Sequence, residues 1–147
     1  MKNTIKVMTF GPLAIRFVLG AVFLFNGWPK LQNLQQLQDS FLMIGLPQEL
    51  AVLIALLEVI GGILLIIGVL TRITAVLFAI EMIGAFIINI SNVFPLPKGY
   101  ESAILTIPIL LLAISISLIL TGPGRVSIEW DILKRELIPF GKELVLH

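Results

Sequence analysis

The run Ala51–Gly68 is apolar along its whole length except for one carboxylate, Glu58, near its middle. About 18 or more apolar residues in a row are long enough to cross a bilayer as a helix. A carboxylate at mid-depth in hydrocarbon costs at least about 2.5 kcal/mol, so it requires a partner, a proton or a cavity. Ala51, Ala55, Glu58 and Gly62 step by four, three and four and share one helical face, bordered by Gly61. That face is a shallow strip on which a second backbone can come close, with one acid set in it. The remaining helices must supply what meets the acid.

Only 13% of the 147 residues are charged, against about 25% in a soluble domain. With a mean hydropathy of +1.06, the chain reads as a single membrane domain over residues 1–147. A net charge of +1 leaves no broad basic surface for nucleic acid. Cysteine is absent, which removes disulfides, thiol catalysis and thiolate metal sites. The one histidine is the last residue, His147, so a bis-His haem within the chain is excluded and a zinc cluster has no support. Neither haem nor metal is expected.

The pattern predicts an all-α fold, a four-helix transmembrane bundle with short interfacial helices. The spans cover about residues 11–31, 48–70, 73–90 and 100–120. Residues 1–9 form a short basic flank, and Pro12 suits a first helical turn. Phe10–Trp28 is too long for a signal-peptide core and ends without a small-residue cleavage site. Between the first two spans, Leu31, Leu34, Leu37 and Phe41 recur at near-helical spacing within a Gln-rich stretch, which fits an amphipathic helix at the membrane interface. Gly45 and Pro47 end it. Thr71-Arg72 reads as a tight turn between spans two and three. Pro108, inside the fourth span, should kink it or free a carbonyl for a neighbour to satisfy. Gly122-Pro123-Gly124 stops that span, and a Trp-bearing amphipathic helix over about 127–138 follows.

Four spans place both termini and the Thr71-Arg72 turn on one side. That side carries Lys2, Lys6, Arg72, Arg125, Lys134, Arg135 and Lys142, while the other carries Lys30 and Lys98. The excess of basic residues puts the termini in the cytoplasm and the protein in the cell membrane.

Each span presents one line of small and polar residues. The first has Arg16, Gly20, Phe23, Gly27 and Lys30, with Asn26 beside them; the third has Thr74, Phe78, Glu81 and Ala85; the fourth has Glu101, Pro108, Ser115 and Gly122. At about 1.5 Å per residue, Arg16 lies roughly 9 Å and Glu81 roughly 12 Å from the cytoplasmic end. Glu58 descends to a similar depth. Arg16 is therefore expected to meet Glu81 or, with some stretch, Glu58. One guanidinium for two acids leaves one carboxyl expected to hold a proton and to line a cavity near Asn26 and Lys30. The alternatives are structural: an ion pair that only fixes helix register, a Lys30 that snorkels at its helix end, and a Glu101 that only complements a helix dipole.

These residues also carry a resemblance. Arg16, Asn26-Gly27 with Lys30, Phe41 with Gly45-Leu46-Pro47, Glu58 with Gly61-Gly62, Gly68 with Thr71-Arg72, Gly99 with Glu101, and Gly122-Pro123-Gly124-Arg125 with Ser127 resemble, in order and spacing, the DoxX family of small membrane proteins over about residues 12–131. The chain departs from the family where Asn26 replaces a frequent His, Val126 a frequent Trp and Glu129 a frequent Asp, and Glu81 lies outside the family pattern. The missing His removes an outer proton-exchanging group.

The resemblance implies a four-helix bundle and a link to quinone-dependent redox systems, since related DoxD and DoxA proteins form a thiosulfate:quinone oxidoreductase. On this footing the chain is expected to be a quinone-linked membrane subunit of a redox complex. Arg16, Asn26 and Lys30 would donate hydrogen bonds, and Glu58, Glu81 and Glu101 would carry protons; no residue is assigned a catalytic step. A possible cofactor is quinone, with any other redox centre on a partner subunit. The bilayer and a partner subunit or further copies of the chain are the expected surroundings. Two further classes stay open: a non-catalytic scaffold or assembly protein, and a small transporter for a proton or weak acid, against which the absence of an inverted repeat counts.

Overall fold

The structure, a computed structural model, describes residues 2–91 and 101–124, with side chains over 11–91 and 104–124. Five helices follow one another: α1 (Lys2–Gln32), α2 (Leu34–Met43), α3 (Gln48–Ile67), α4 (Thr71–Ile90) and α5 (Glu101–Thr121). All but α2 are long and apolar enough to cross a membrane. The protein is an all-α, multi-pass integral membrane protein. Most of each span faces outward, and Phe17, Phe25, Trp28, Leu53, Ile80 and Leu120 are among the many large apolar side chains exposed there. Hydrocarbon, not water, is the solvent that suits such a surface.

The buried faces follow the small and polar lines of the sequence. In α1 these are Arg16, Leu19, Gly20, Phe23 and Gly27; in α3, Ala51, Ala55, Glu58, Gly61 and Gly62; in α5, Pro108 and Ser115, with Gly122 just beyond it. Helix α1 packs most extensively on α3, and α4 on α5. The α1–α3 contact is backbone to backbone. A Cβ added to Gly20 would lie 2.7 Å from the Gly62 carbonyl oxygen, and one added to Gly27 would lie 2.6 Å from Glu58 Cβ. At the centre Phe23 stacks on Phe78 with ring centroids 3.6 Å apart, enclosed by Leu19, Leu65, Met82 and Leu118.

Several boundaries differ from those expected. Helix α1 already begins at Lys2, because the flank has no glycine or proline to stop it, so Pro12 lies inside the helix and not in its first turn. The α3–α4 turn is Gly68-Val69-Leu70, not Thr71-Arg72. Gly68 adopts φ 75°, and the amides of Gly68 and Val69 return to the carbonyls of Leu65 and Leu64. This glycine-terminated pattern closes a helix, so α3 ends at Ile67 and α4 starts at Thr71. The amphipathic segment between the first spans is α2, whose Leu34, Leu37 and Phe41 are half-buried while Gln35, Gln36 and Asp39 are exposed; it rests on α3. Pro108 has no N–H for the carbonyl of Ile104, and Asn89 Nδ2 takes that carbonyl at 3.1 Å, tying α4 to α5. The expected helix over 127–138 and most of the loop before α5 lie outside the described residues.

Candidate functional site

Glu58 lies ten residues in from Gln48, and Glu81 ten residues in from Thr71. Both are therefore about 15 Å from their helix ends, near the middle of the bundle. The two helices are antiparallel, and Gly61 sits under the Phe78 ring. One turn along, the same register sets Glu58 across from Glu81, and their carboxyls interact side chain to side chain. Glu58 is only 2% exposed, whereas Glu81 is half-buried.

The cation at this site is Lys30. Its Nζ donates to Glu58 Oε1 at 2.5 Å. Lys30 reaches a mid-bundle acid because α1 is displaced along α3. With Gly27 against Glu58, α1 continues only five residues to Gln32, while α3 continues ten to Gln48. The end of α1 is thus sunk about 7 Å below the end of α3. Lys30 turns inward and does not snorkel outward. Glu58 Oε2 and Glu81 Oε2 are buried without a hydrogen-bond partner among the described residues.

Above the sunken end of α1, the polar side of α2 frames an open cleft of about 280 Å³, lined by Pro29, Lys30, Asn33, Gln36, Leu37 and Ser40. Asn33, Gln36 and Ser40 recur at three and four residues, the spacing of one helical face. Lys30 is the residue common to the cleft and the ion pair. The cleft corrects one expectation: neither Asn26 nor the carboxyls line it, because Lys30 stands between the opening and the acids. The Gln-rich composition of α2 was the signal that could have placed Gln36 and Ser40 here.

Arg16 belongs elsewhere. It is 2% exposed, and its Nη1 donates to the carbonyl of Pro123 at 2.6 Å. The expected pairing of Arg16 with Glu81 or Glu58 is not formed. The glycine contacts slide α1 so that Arg16 falls beyond Gly62 and Ile66, at the opposite end of the bundle from Lys30. There the Arg72 guanidinium also approaches Gly122, within 2.9 Å of where a Cβ would be. Two cations thus lie against the Gly122–Pro123 segment just past the C-terminal end of α5, where a helix dipole favours positive charge. Asn26 is exposed and donates to Val22 O in its own helix at 2.7 Å, so it joins neither group. Glu101 opens α5, and its side chain lies outside the described residues. Of the six candidates, the structure brings together Lys30, Glu58 and Glu81.

The arrangement can do three things chemically. Lys30 can present N–H donors to a carbonyl or anionic oxygen in the cleft. The two carboxyls behind it can hold and pass a proton. The low-dielectric surroundings strengthen each of these interactions.

Comparisons with known proteins place this site within a matched region. A family model described as DoxX matches residues 11–90, which contain Lys30, Glu58 and Glu81. The chain is 36% identical over 129 residues to CatD of Bacillus subtilis (strain 168), provisionally named an oxidoreductase, covering 88% of this chain and 92% of that one. It is 33% identical over 135 residues to an uncharacterised membrane protein of Mycobacterium tuberculosis, covering 84% and 82%. It is 30% identical over 125 residues to the inner membrane protein YqjF of Escherichia coli, covering 84% and 93%. No solved structure matches.

Proposed function

The chain belongs to the DoxX family, and on that premise we propose that it is a quinone-linked membrane subunit of a redox complex, with the quinone head group received at Lys30. The observation that carries this reading is the part-buried Lys30–Glu58 pair, backed by Glu81 and reached through the cleft beside α2. The residues fit such a group. Lys30 supplies a charged donor at the inner wall of the cleft, and Asn33, Gln36 and Ser40 supply further polar contacts. When bound, a quinone would accept two electrons and two protons. Cysteine is absent and the one histidine is terminal, so the electrons come from a centre on a partner subunit. Glu58 fixes the Lys30 ammonium, and Glu58 with Glu81 stores a proton next to it. The provisional oxidoreductase name of CatD agrees with this class.

The location of YqjF in an inner membrane supports the cell membrane as the site of action. With Lys30 turned into the bundle, Lys98 alone remains to set against the seven basic residues on the side of the termini, which favours cytoplasmic termini. The scaffold alternative is favoured at Arg16 only, whose contact with Pro123 O holds the end of α5.

The test is purification in mild detergent followed by titration with a short-chain quinone. Wild-type protein should bind, with partner subunits retained, and Lys30→Met and Glu58→Gln should each weaken binding by about tenfold or more. Wild-type protein that neither binds nor copurifies with quinone would overturn the proposal.

A further inference from the structure

Among the described residues, the cluster is open toward one end of the bundle and closed toward the other. Toward the end of α1, Lys30 borders the cleft and its side chain is 34% exposed. Toward the Gly68–Leu70 turn, the next layer is the Phe23–Phe78 stack, with both rings at most 1% exposed. Behind it, Leu19, Leu65 and Leu118 have no exposed surface. Four polar side chains are buried on the far side of the stack: Ser115, which donates to Leu111 O of its own helix; Thr74, whose methyl carbon faces Gly61; Thr71 at the start of α4; and Arg16, whose Nη1 donates to Pro123 O. The apolar layer of Phe23, Phe78, Leu19, Leu65 and Leu118 stands between these groups and the two acids.

The charged groups facing the acids are few. Helix α1 contributes Lys30, α3 contributes Glu58 and α4 contributes Glu81. Helix α2 and the Asn33 that precedes it bring uncharged Asn33, Gln36 and Ser40 to the cleft, while the one acid of α2, Asp39, is exposed. The described side chains of α5 include no charged residue. With one ammonium for two carboxyls, the neutral state of the cluster holds one proton. The two carboxyl oxygens without a donor are where that proton can sit.

We infer that the Lys30–Glu58–Glu81 cluster exchanges its proton through the α2 cleft only, and that the Phe23–Phe78 stack seals it from the side of the Gly68–Leu70 turn. This deepens the quinone reading and rests on the same cluster. It means that protons used there are drawn from, or returned to, a single face of the membrane.

The test uses the full chain in liposomes without quinone, so it can fail or succeed independently of quinone binding. Because the chain has no cysteine, an introduced Ser40→Cys labelled by an impermeant thiol reagent reports which way the cleft faces. Carboxyl infrared bands are then followed while the pH is stepped on one side at a time. Glu81→Gln, which keeps the Lys30–Glu58 pair, assigns the band, and Glu58→Gln confirms it where it folds. The expected result is a carboxyl band that follows pH on the Ser40 side and ignores the other, with Phe78→Ala making it respond to both. A band that follows the opposite side, or both sides equally in the wild type, overturns the inference. So does the absence of any band that Glu81→Gln removes.

Discussion

Arg16 and Lys30 are both cations of α1, fourteen residues apart on one buried stripe, yet they meet opposite kinds of partner. Arg16, almost fully buried, is bonded to the main-chain carbonyl of Pro123, just past α5. Lys30, partly exposed at a cleft, is bonded to a carboxylate that has a second carboxyl beside it. A main-chain carbonyl does not titrate, so the Arg16–Pro123 bond is a clasp between α1 and the segment that follows α5. A carboxylate can gain a proton and release its ammonium, so the Lys30 end can change state. The difference assigns architecture to one end of the bundle and chemistry to the other.

The contrast can be broken most strongly at Lys30. Lys30→Met leaves the buried Glu58 carboxyl without its cation, so it should lower the unfolding midpoint in detergent more than any change below. The double variant Lys30→Met with Glu58→Gln should recover most of that stability, since replacing both members is often near neutral, but should not recover quinone binding. Recovery of both would make the pair purely structural.

Arg16→Met should cost less, about 1–3 kcal/mol, the penalty for leaving a buried carbonyl without its donor. Thermal unfolding measures the loss, and quinone affinity should stay at the wild-type value. A loss of affinity at wild-type stability would move the chemistry to Arg16.

Two asparagines repeat the contrast on a smaller scale. Asn89→Ala removes the bond to Ile104 O across α4 and α5 and should cost about 1 kcal/mol. In a Pro108→Ala background the restored helix N–H can satisfy Ile104 O, so the same substitution should cost less there; a double-mutant cycle of unfolding midpoints reads the coupling. Asn26→Ala removes a bond that stays within α1 on its exposed side. Its effect on stability should fall within about 0.5 kcal/mol, with quinone titration unchanged.

The buried stripes were legible because small and polar residues at four-three spacing leave little doubt about which face of a membrane helix turns inward. Gly20, Gly27, Glu58 and Gly62 all lie where that spacing puts them. Pro108 was legible for a similar reason: a missing N–H has a fixed address, the carbonyl four residues earlier. The partners of Arg16 and Lys30 were not legible. Depths counted from helix ends assume that neighbouring helices start level, whereas the Gly20–Gly62 and Gly27–Glu58 contacts decide how far α1 slides on α3. That slide carries Arg16 away from the acids and brings Lys30 to them. The α3–α4 turn was misplaced because Gly68 closes its helix by backbone hydrogen bonds, a signal stronger than the charge of Arg72.

The most direct measurement compares two variants in one assay, the affinity of the purified protein for a short-chain quinone alongside its unfolding midpoint. Glu58→Gln should weaken binding by about tenfold or more, equivalent to about 1.4 kcal/mol, and keep a folded bundle. Arg16→Met should lower the midpoint and leave affinity unchanged. The opposite pattern, with affinity lost at Arg16 and retained at Glu58, would contradict the assignment of the Lys30–Glu58–Glu81 cluster as the functional site.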